Sequence, residues 1–337
     1  MADIKQVARE AGVSIATVSR VVNGRSGAAS PETTARVRQT IDRLQYQPNA
    51  IARGLNRQRM NTLGVVFASA NDFVLTAHDY YIRILEGILT VNKAGQQKTL
   101  LFLQESWRQA ERDISSYTDG QCDGLILLSP AIDDSFYETL RRRKIPVVIT
   151  GGVSPGPPVS VAAMDNEAAG YDCTRYLLGL GHRRISHLGG QVEFASAAAR
   201  AGGYGRALRE QGLEPDVHAG EYGAHSGYAQ TRLLLQRQER PTALFCADDE
   251  IAYGALDALA EAGVPVPGAM SVIGVNDSPK SVLRDPPLTS VRQPYRQIGT
   301  RLAEMLRGEI EGQSAPGQQE SYPGELIVRS STAPPGG

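Results

Sequence analysis

From Thr62 onward the chain alternates short apolar runs with helical stretches, and it does so twice. Leu63-Gly64-Val65-Val66-Phe67, Thr99-Leu100-Leu101-Phe102, Gly124-Leu125-Ile126-Leu127-Leu128 and Pro146-Val147-Val148-Ile149 are strand-length, and none contains a charged residue. A strand apolar on both faces is buried on both faces, which requires a parallel sheet covered by the helices that connect its strands. The segments between, near 81–94, 108–119 and 136–143, carry helical periodicity. A second series at 159–163, 185–188, 244–247 and 272–275 repeats the pattern. Two such series predict two Rossmann-like lobes, with a ligand cleft at the carboxyl ends of their strands.

The formal charge of −1 hides an uneven distribution. Residues 1–60 hold ten Lys/Arg against four Asp/Glu, a net of +6, while the remainder carries 25 bases and 32 acids. A small basic head on a mildly acidic body suits a protein whose head alone meets phosphates. Within that head Ile4, Val7, Ala8 and Ala11 recur at helical spacing, and Gly12 supplies the left-handed residue that a chain reversal needs. Ser14 is placed to cap a second helix from Ile15 to about Asn23, buried through Val18, Val21 and Val22. Two short helices across a glycine turn form a helix-turn-helix, whose second helix can enter a major groove. Ile15, Ala16, Ser19, Arg20 and Asn23 are left outside, and an arginine there can fork onto guanine. Ser30-Pro31 starts a third helix, with Val37, Ile41 and Leu44 as its apolar stripe.

These residues resemble a known family. Ile4-Lys5-Gln6-Val7-Ala8, Ala11-Gly12-Val13-Ser14, Ala16-Thr17-Val18-Ser19-Arg20-Val21-Val22-Asn23 and Tyr46-Gln47-Pro48-Asn49-Ala50 are similar, in order and spacing, to the headpiece of the lactose/galactose repressor (LacI/GalR) family. The resemblance implies that Ile15, Ala16 and Arg20 read bases, and that Ser14, Thr17, Ser19 and Asn23 hold backbone phosphates. It also implies that the stretch beginning Asn49-Ala50-Ile51-Ala52-Arg53-Gly54-Leu55 is a hinge helix ordered on operator DNA. There Asn49 belongs to the DNA-binding set, Ala52 lets two hinge helices approach, and Leu55 wedges into the minor groove, a bend repaid by added contacts. A plain basic linker is the alternative for this segment.

The body resembles the family's periplasmic-binding-protein-like effector domain. The matching motifs include Cys122-Asp123-Gly124-Leu125-Ile126-Leu127, Leu180-Gly181-His182-Arg183-Arg184-Ile185, Ala247-Asp248-Asp249 and Asp285-Pro286-Pro287-Leu288-Thr289. Carried onto this chain, the resemblance puts Tyr80, Tyr81, Arg200, Tyr222, Asp248, Asn276 and Tyr295 at an effector cleft. Arginine with Asp/Asn forks between aromatic rings suits a polyhydroxyl ring. A surface salt bridge is the alternative for Arg200, and core packing for the tyrosines. The chain departs from the family where Asp248 replaces an asparagine, Asn276 an aspartate, and Gly151 an acid.

The expected architecture is therefore an all-α helix-turn-helix headpiece (1–47), a hinge helix and linker (48–61), an α/β two-lobed effector and dimerisation domain (62–332) and a disordered tail (333–337). The expected function is a transcriptional regulator, most readily a repressor, acting as a homodimer on a palindromic operator under control of a sugar-like effector. The alternatives are a body that only dimerises, or a nucleoside or purine ligand acting by corepression. A last strand is expected at 326–332, and no leucine heptads follow it, so a dimer is expected and not a tetramer. No enzyme is expected: the glycine pairs form no phosphate loop, no Ser-His-Asp or Cys-His spacing occurs, and Asp248-Asp249-Glu250 reads as a helix start. His182 and His187 are expected to be structural. Cys122, Cys173 and Cys246 are too dispersed for a zinc or disulfide framework, so no metal or cofactor is expected. With no apolar run of membrane-spanning length and no secretory-type start, the expected location is the cytoplasm.

Overall fold

The computed structural model describes residues 2–22, 29–47, 59–68, 79–131, 134–152 and 158–336, and the chain divides into two units at Asn61. In the first unit, helix α1 (Ile4–Ala11) starts at Asp3, whose side chain accepts from the Gln6 amide at 2.7 Å. It ends at Gly12, where φ of +65° is the left-handed conformation that closes the turn. Helix α2 (Ile15–Val22) starts at Ser14, whose Oγ accepts from the Thr17 amide at 3.1 Å. Helix α3 (Pro31–Arg43) starts at Ser30, whose side chain accepts from Thr33, with proline in the first turn. Val7, Ala8, Ala11, Val18, Val21 and Val37 form the common core, with Ile4, Val13, Ile41, Leu44 and Tyr46 packed around it.

The second unit opens with β1 (Thr62–Ala68), α4 (Asp79–Ala94), β2 (Lys98–Gln104), α5 (Trp107–Arg112), α6 (Ile114–Tyr117), β3 (Gly124–Leu128), α7 (Asp134–Arg142), β4 (Val147–Thr150) and β5 (Ser160–Met164). It continues with α8 (Asn166–Gly179), β6 (Ile185–Leu188), α9 (Ala195–Arg209), β7 (Asp216–His218), α10 (Ala224–Leu234), β8 (Ala243–Cys246), α11 (Asp249–Glu261), β9 (Ser271–Asn276) and β10 (Thr289–Arg292). The chain then returns through α12 (Tyr295–Glu311) and β11 (Gln319–Tyr322), and ends on β12 (Glu325–Ile327).

Two six-stranded sheets result, in the orders β2-β1-β3-β4-β5-β11 and β7-β6-β8-β9-β10-β12. Every pair is parallel except β10 with β12. In each sheet the chain starts near the middle, takes one strand to one side, and then reverses to add the rest on the other. That reversal leaves a crevice at the carboxyl ends of β1 and β3 in one lobe, and of β6 and β8 in the other. The lobes are joined where β5 leads into α8, β10 into α12 and β11 into β12, and one apolar core runs through α12 from Leu63 and Ile126 to Phe245 and Ile273.

Several expectations change here. The run 159–163 was expected to open the second lobe; its strand, β5, pairs instead with β4 and β11 in the first, because the chain crosses over only after Asp165. The helix expected at 108–119 is broken at Asp113 into α5 and α6. Strands β7, β10 and β11 were not foreseen: β7 and β11 are short edge strands with half-polar sequences, and β10 has a single apolar residue among four. The expected disorder at 333–337 does not extend to Ala333. The Ala333 amide donates to Ser271 Oγ at 3.0 Å, and its carbonyl lies 2.9 Å from His182 Nε2, so two side chains hold the backbone at a residue of a segment whose composition suggests no order. Gly337 lies outside the described residues.

Candidate functional site

On the head, α2 turns Val18 and Val21 inward, which leaves Ser14, Ile15, Ala16 and Arg20 exposed and Thr17 and Ser19 half-buried. Ile15 is 45% exposed, an apolar side chain at the tip of a helix with nothing of its own unit to cover it. Such a side chain fits the methyl group of thymine, and the exposed Arg20 is of the type that reads guanine. Ser14 Oγ also lies 2.9 Å from Thr17 Oγ1, so both hydroxyls are held at the amino end of α2, where helix amides favour an anion. Asn23, Asn49, Ala52 and Leu55 lie outside the described residues.

In the body, the polar groups gather at the two strand-order reversals. Arg200 sits in the first half of α9 and is 4% exposed. Its carbonyl lies against α8: a Cβ on Gly170 would come within 2.1 Å of it, so glycine at 170 lets the two helices close up and fixes where the guanidinium starts. One terminal nitrogen of Arg200 donates to Asn166 Oδ1, and the other to the Tyr222 hydroxyl at 2.9 Å. Tyr222 is wedged edge-on against Phe194, with ring centroids 5.6 Å apart.

Asp248 follows β8 at the reversal and caps α11, accepting from the Ile251 amide at 2.8 Å. Burial pushes its carboxyl up to about 6, against the lowering effects of the Ile251 amide and the nearby Arg200 charge. Next to it, Asp249 is fully enclosed. It accepts from Ser290 Oγ at 2.5 Å and from the Ser278 amide and Ser281 Oγ at 2.8 Å, and burial raises it to about 7. Asp249 is thus a structural carboxyl and Asp248 the one facing the crevice.

The opposite wall comes from the first lobe. The Tyr80 hydroxyl lies 2.5 Å from Ser129 Oγ at the end of β3, and its ring meets Tyr295 edge-on at 5.5 Å. Burial raises the Tyr80 hydroxyl above the usual phenol range, while Ser129, Thr150 and the Arg200 charge pull it down. Gly152 and Ala195 complete the approach: a Cβ on Gly152 would lie 2.3 Å from that of Ala195, so the lobes touch at this point.

The structure therefore joins Arg200 directly to Tyr222, and sets Asp248 just after β8 and Tyr80 against Ser129 just after β3, the strands at which the two orders reverse. Tyr81 turns away to donate to the Ala68 carbonyl at 3.1 Å, and Tyr295 is 2% exposed behind Tyr80. Asn276 stands at the end of β9 with φ of +121°, which is strained for a side-chain-bearing residue; its Oδ1 accepts from Gln293 Nε2 at 2.7 Å. Asn166, Ser129 and Thr150 were not singled out in the sequence, although each follows or ends an apolar strand run at its carboxyl end. Gly151, with φ of +98°, packs against Ser129, leaving the serine to supply the polar group on this wall.

Two family models match the chain: bacterial regulatory proteins of the lacI family over residues 3–49, and a periplasmic binding protein-like domain over 174–332. Catabolite control protein A of Priestia megaterium is 32% identical over 98% of this chain and 98% of that protein. Among solved structures, the Lac repressor dimer bound to operator and the anti-inducer ONPF superposes with a TM-score of 0.85 at 27% identity, covering 98% of this chain and 99% of that one. The transcriptional regulator CelR in complex with cellobiose gives 0.76 at 32% identity, covering 98% and 100%. No helix among the described residues is long and apolar enough to cross a membrane. The chain belongs to the LacI family of bacterial regulatory proteins, a family of DNA-binding transcriptional regulators and not of enzymes.

Proposed function

We propose that the protein is a cytoplasmic, homodimeric repressor whose hold on a palindromic operator is set by a neutral sugar bound between the two lobes. The observation that carries this reading is the buried Arg200 guanidinium, hydrogen-bonded to Asn166 and Tyr222 in the lobe whose strand-order reversal also carries Asp248. One fixed cation beside one weakly acidic carboxyl leaves no surplus charge for a phosphate, and the hydroxyls of Ser129, Tyr80 and Tyr222 suit a polyol. The CelR relative, whose structure contains cellobiose, supports the same class of ligand. The Lac repressor relative, a dimer on its operator, supports two heads on a two-fold site.

Ser14, Ile15, Ala16, Thr17, Ser19, Arg20 and Asn23 serve the major groove and its phosphates in this reading. Residues 48–61 form the hinge, with Asn49, Ala52 and Leu55 at the minor groove. Ligand closes the lobes of the 62–332 domain and changes the order of the hinge, a coupling of typically ~1–3 kcal/mol. The test is a thermal-shift screen of mono- and disaccharides, cellobiose included, with nucleosides and purine bases in parallel, followed by operator binding with each hit. Sugars that raise the melting temperature and alter operator affinity support the proposal. A response confined to purines would replace the sugar, and hits that leave operator affinity unchanged would reduce the body to a dimerisation platform. For the hinge, Leu55→Ala should weaken operator binding far more than binding to random DNA, since a wedge acts only in the bent site; equal losses would make the segment a tether.

A further inference from the structure

Helix α1 ends on a carbonyl that its own turn leaves open. The Gly12 amide closes back onto Ala8 and Arg9, and the Val13 amide onto Ala8, so the Ala11 carbonyl has no backbone donor among the described residues. Arg36, in the second turn of α3, fills that place: its Nε donates to the Ala11 oxygen at 3.0 Å. A cation there also meets the negative end of the α1 dipole. Capping occupies only the inner N–H of the guanidinium. Its two terminal nitrogens have no partner among the described residues, and the residue is exposed.

No carboxylate of the head is set against this charge. Glu10 is taken by Arg43 at 2.6 Å and by Gln6 at 3.2 Å, and Asp3 caps α1. Glu32 lies one turn earlier on α3, yet the guanidinium turns to the Ala11 carbonyl instead. Where the fork is held matters as much as its being free. Ala11 stands three residues before Ser14, a span of at most ~11 Å. Ser14, paired with Thr17, opens the helix whose Ile15, Ala16 and Arg20 are exposed. Duplex DNA carries a charge about every 1.7 Å of its axis, so a duplex seated on that end of α2 brings several phosphates to the same side of the turn.

We propose that Arg36 is a phosphate clamp of the DNA interface as well as the cap of α1. Its Nε holds the turn, and its two terminal nitrogens donate end-on to two oxygens of one backbone phosphate, the geometry a planar fork matches. The assignment rests on the reading of α2 as the groove helix. A contact to the backbone reads no sequence; it fixes register. One side chain then joins the phosphate to the turn that aims α2, and because its inner N–H is already tied down, less freedom is lost on binding. Arg20, by contrast, offers its fork to a base edge.

The test is binding of the full chain to a short duplex of random sequence between about 50 and 200 mM salt. Arg36→Gln keeps an N–H for the Ala11 carbonyl and loses the charge. Its affinity should fall roughly five- to tenfold at about 0.1 M salt, and the slope of log K against log salt should shrink by about 0.9, one phosphate. Arg36→Lys keeps the charge and should keep most of the slope. Arg38→Gln removes an equal charge about 200° round α3 and should leave the slope at the wild-type value. A slope that Arg36→Gln does not alter overturns the clamp and leaves a cap; a slope that Arg38→Gln reduces equally overturns it in favour of general charge. If Arg36→Gln does not fold, ¹⁵N-arginine spectra of the wild type decide. The Arg36 Nη signals, identified by their loss in Arg36→Lys, should sharpen with saturating duplex as a phosphate stops rotation about Cζ–Nη, and unchanged signals overturn the clamp. A wild type without affinity for any duplex would contradict α2 as the groove helix, and the clamp with it.

Discussion

At the scale of single residues, the cleft is governed by what burial does to ionisable groups. Asp248 and Asp249 are neighbours in sequence with different work: one caps α11 and faces the crevice, the other is closed in by three serines. His187 offers the cleanest pH test. Its pKa falls from an ordinary 6.5 to about 4 on folding, so its stabilising contribution is present above pH 6.5 and is lost as pH falls toward 4. At pH 5.5 the unfolded chain has nearly completed protonation at this site and the folded chain has not, a difference of about 1.4 kcal/mol. Denaturant unfolding at pH 7.5 and 5.5 should therefore show wild type losing about 1.4 kcal/mol more than His187→Gln on acidification. Parallel losses in the two proteins would mean that His187 is solvated. Arg200→Ala belongs at this scale too. It removes the only described donor to Asn166 Oδ1 and Tyr222, and ligand affinity should fall ten- to a hundredfold in calorimetry, from a loss of roughly 1.5–3 kcal/mol.

At the scale of elements, the turn between α1 and α2 depends on Gly12. No atom lies within 4 Å of a Cβ added there, so Gly12→Ala tests conformation alone. It should destabilise the head by about 1 kcal/mol, seen as a lower melting temperature of the isolated head region or weaker operator binding. Gly152 is the opposite case: its φ is not the issue, but a Cβ would collide with Ala195 across the lobes. Gly152→Leu should hold the lobes apart and weaken ligand binding, and unchanged affinity in calorimetry would show that the contact is dispensable for closure. These two glycines also mark how much could be read from sequence. The turn glycine was legible because local helix periodicity fails on either side of it, whereas the cross-lobe contact joins residues 43 positions apart and has no local signal. In the same way, β1, β3, β4 and β9 announce themselves as apolar runs, while β7 and β11 are edge strands with one wet side and too few residues to show a period. The chain crossover after β5 was misplaced for a related reason: strand membership in one sheet or the other is set by pairing, which an apolar run does not specify. Of the cleft, Arg200, Tyr80, Tyr222 and Asp248 followed from a family resemblance; Asn166 and Ser129 emerged only when the strand ends were brought together.

At the scale of the whole molecule, charge and ligand control reside in different units. The first sixty residues carry the net +6, so operator affinity should fall steeply with salt, and deletion of residues 1–61 should abolish it while the body still binds ligand. Operator binding that survives the deletion would place the DNA contacts elsewhere. Coupling between the units is the central claim, and it is tested most directly by operator affinity measured with and without the sugar that gives the largest thermal shift, in wild type and in Arg200→Ala at the same sugar concentration. The account predicts a change of about fivefold or more in wild type and none in the variant. An equal change in both proteins would contradict it, because the signal would then enter the molecule somewhere other than the cleft around Arg200.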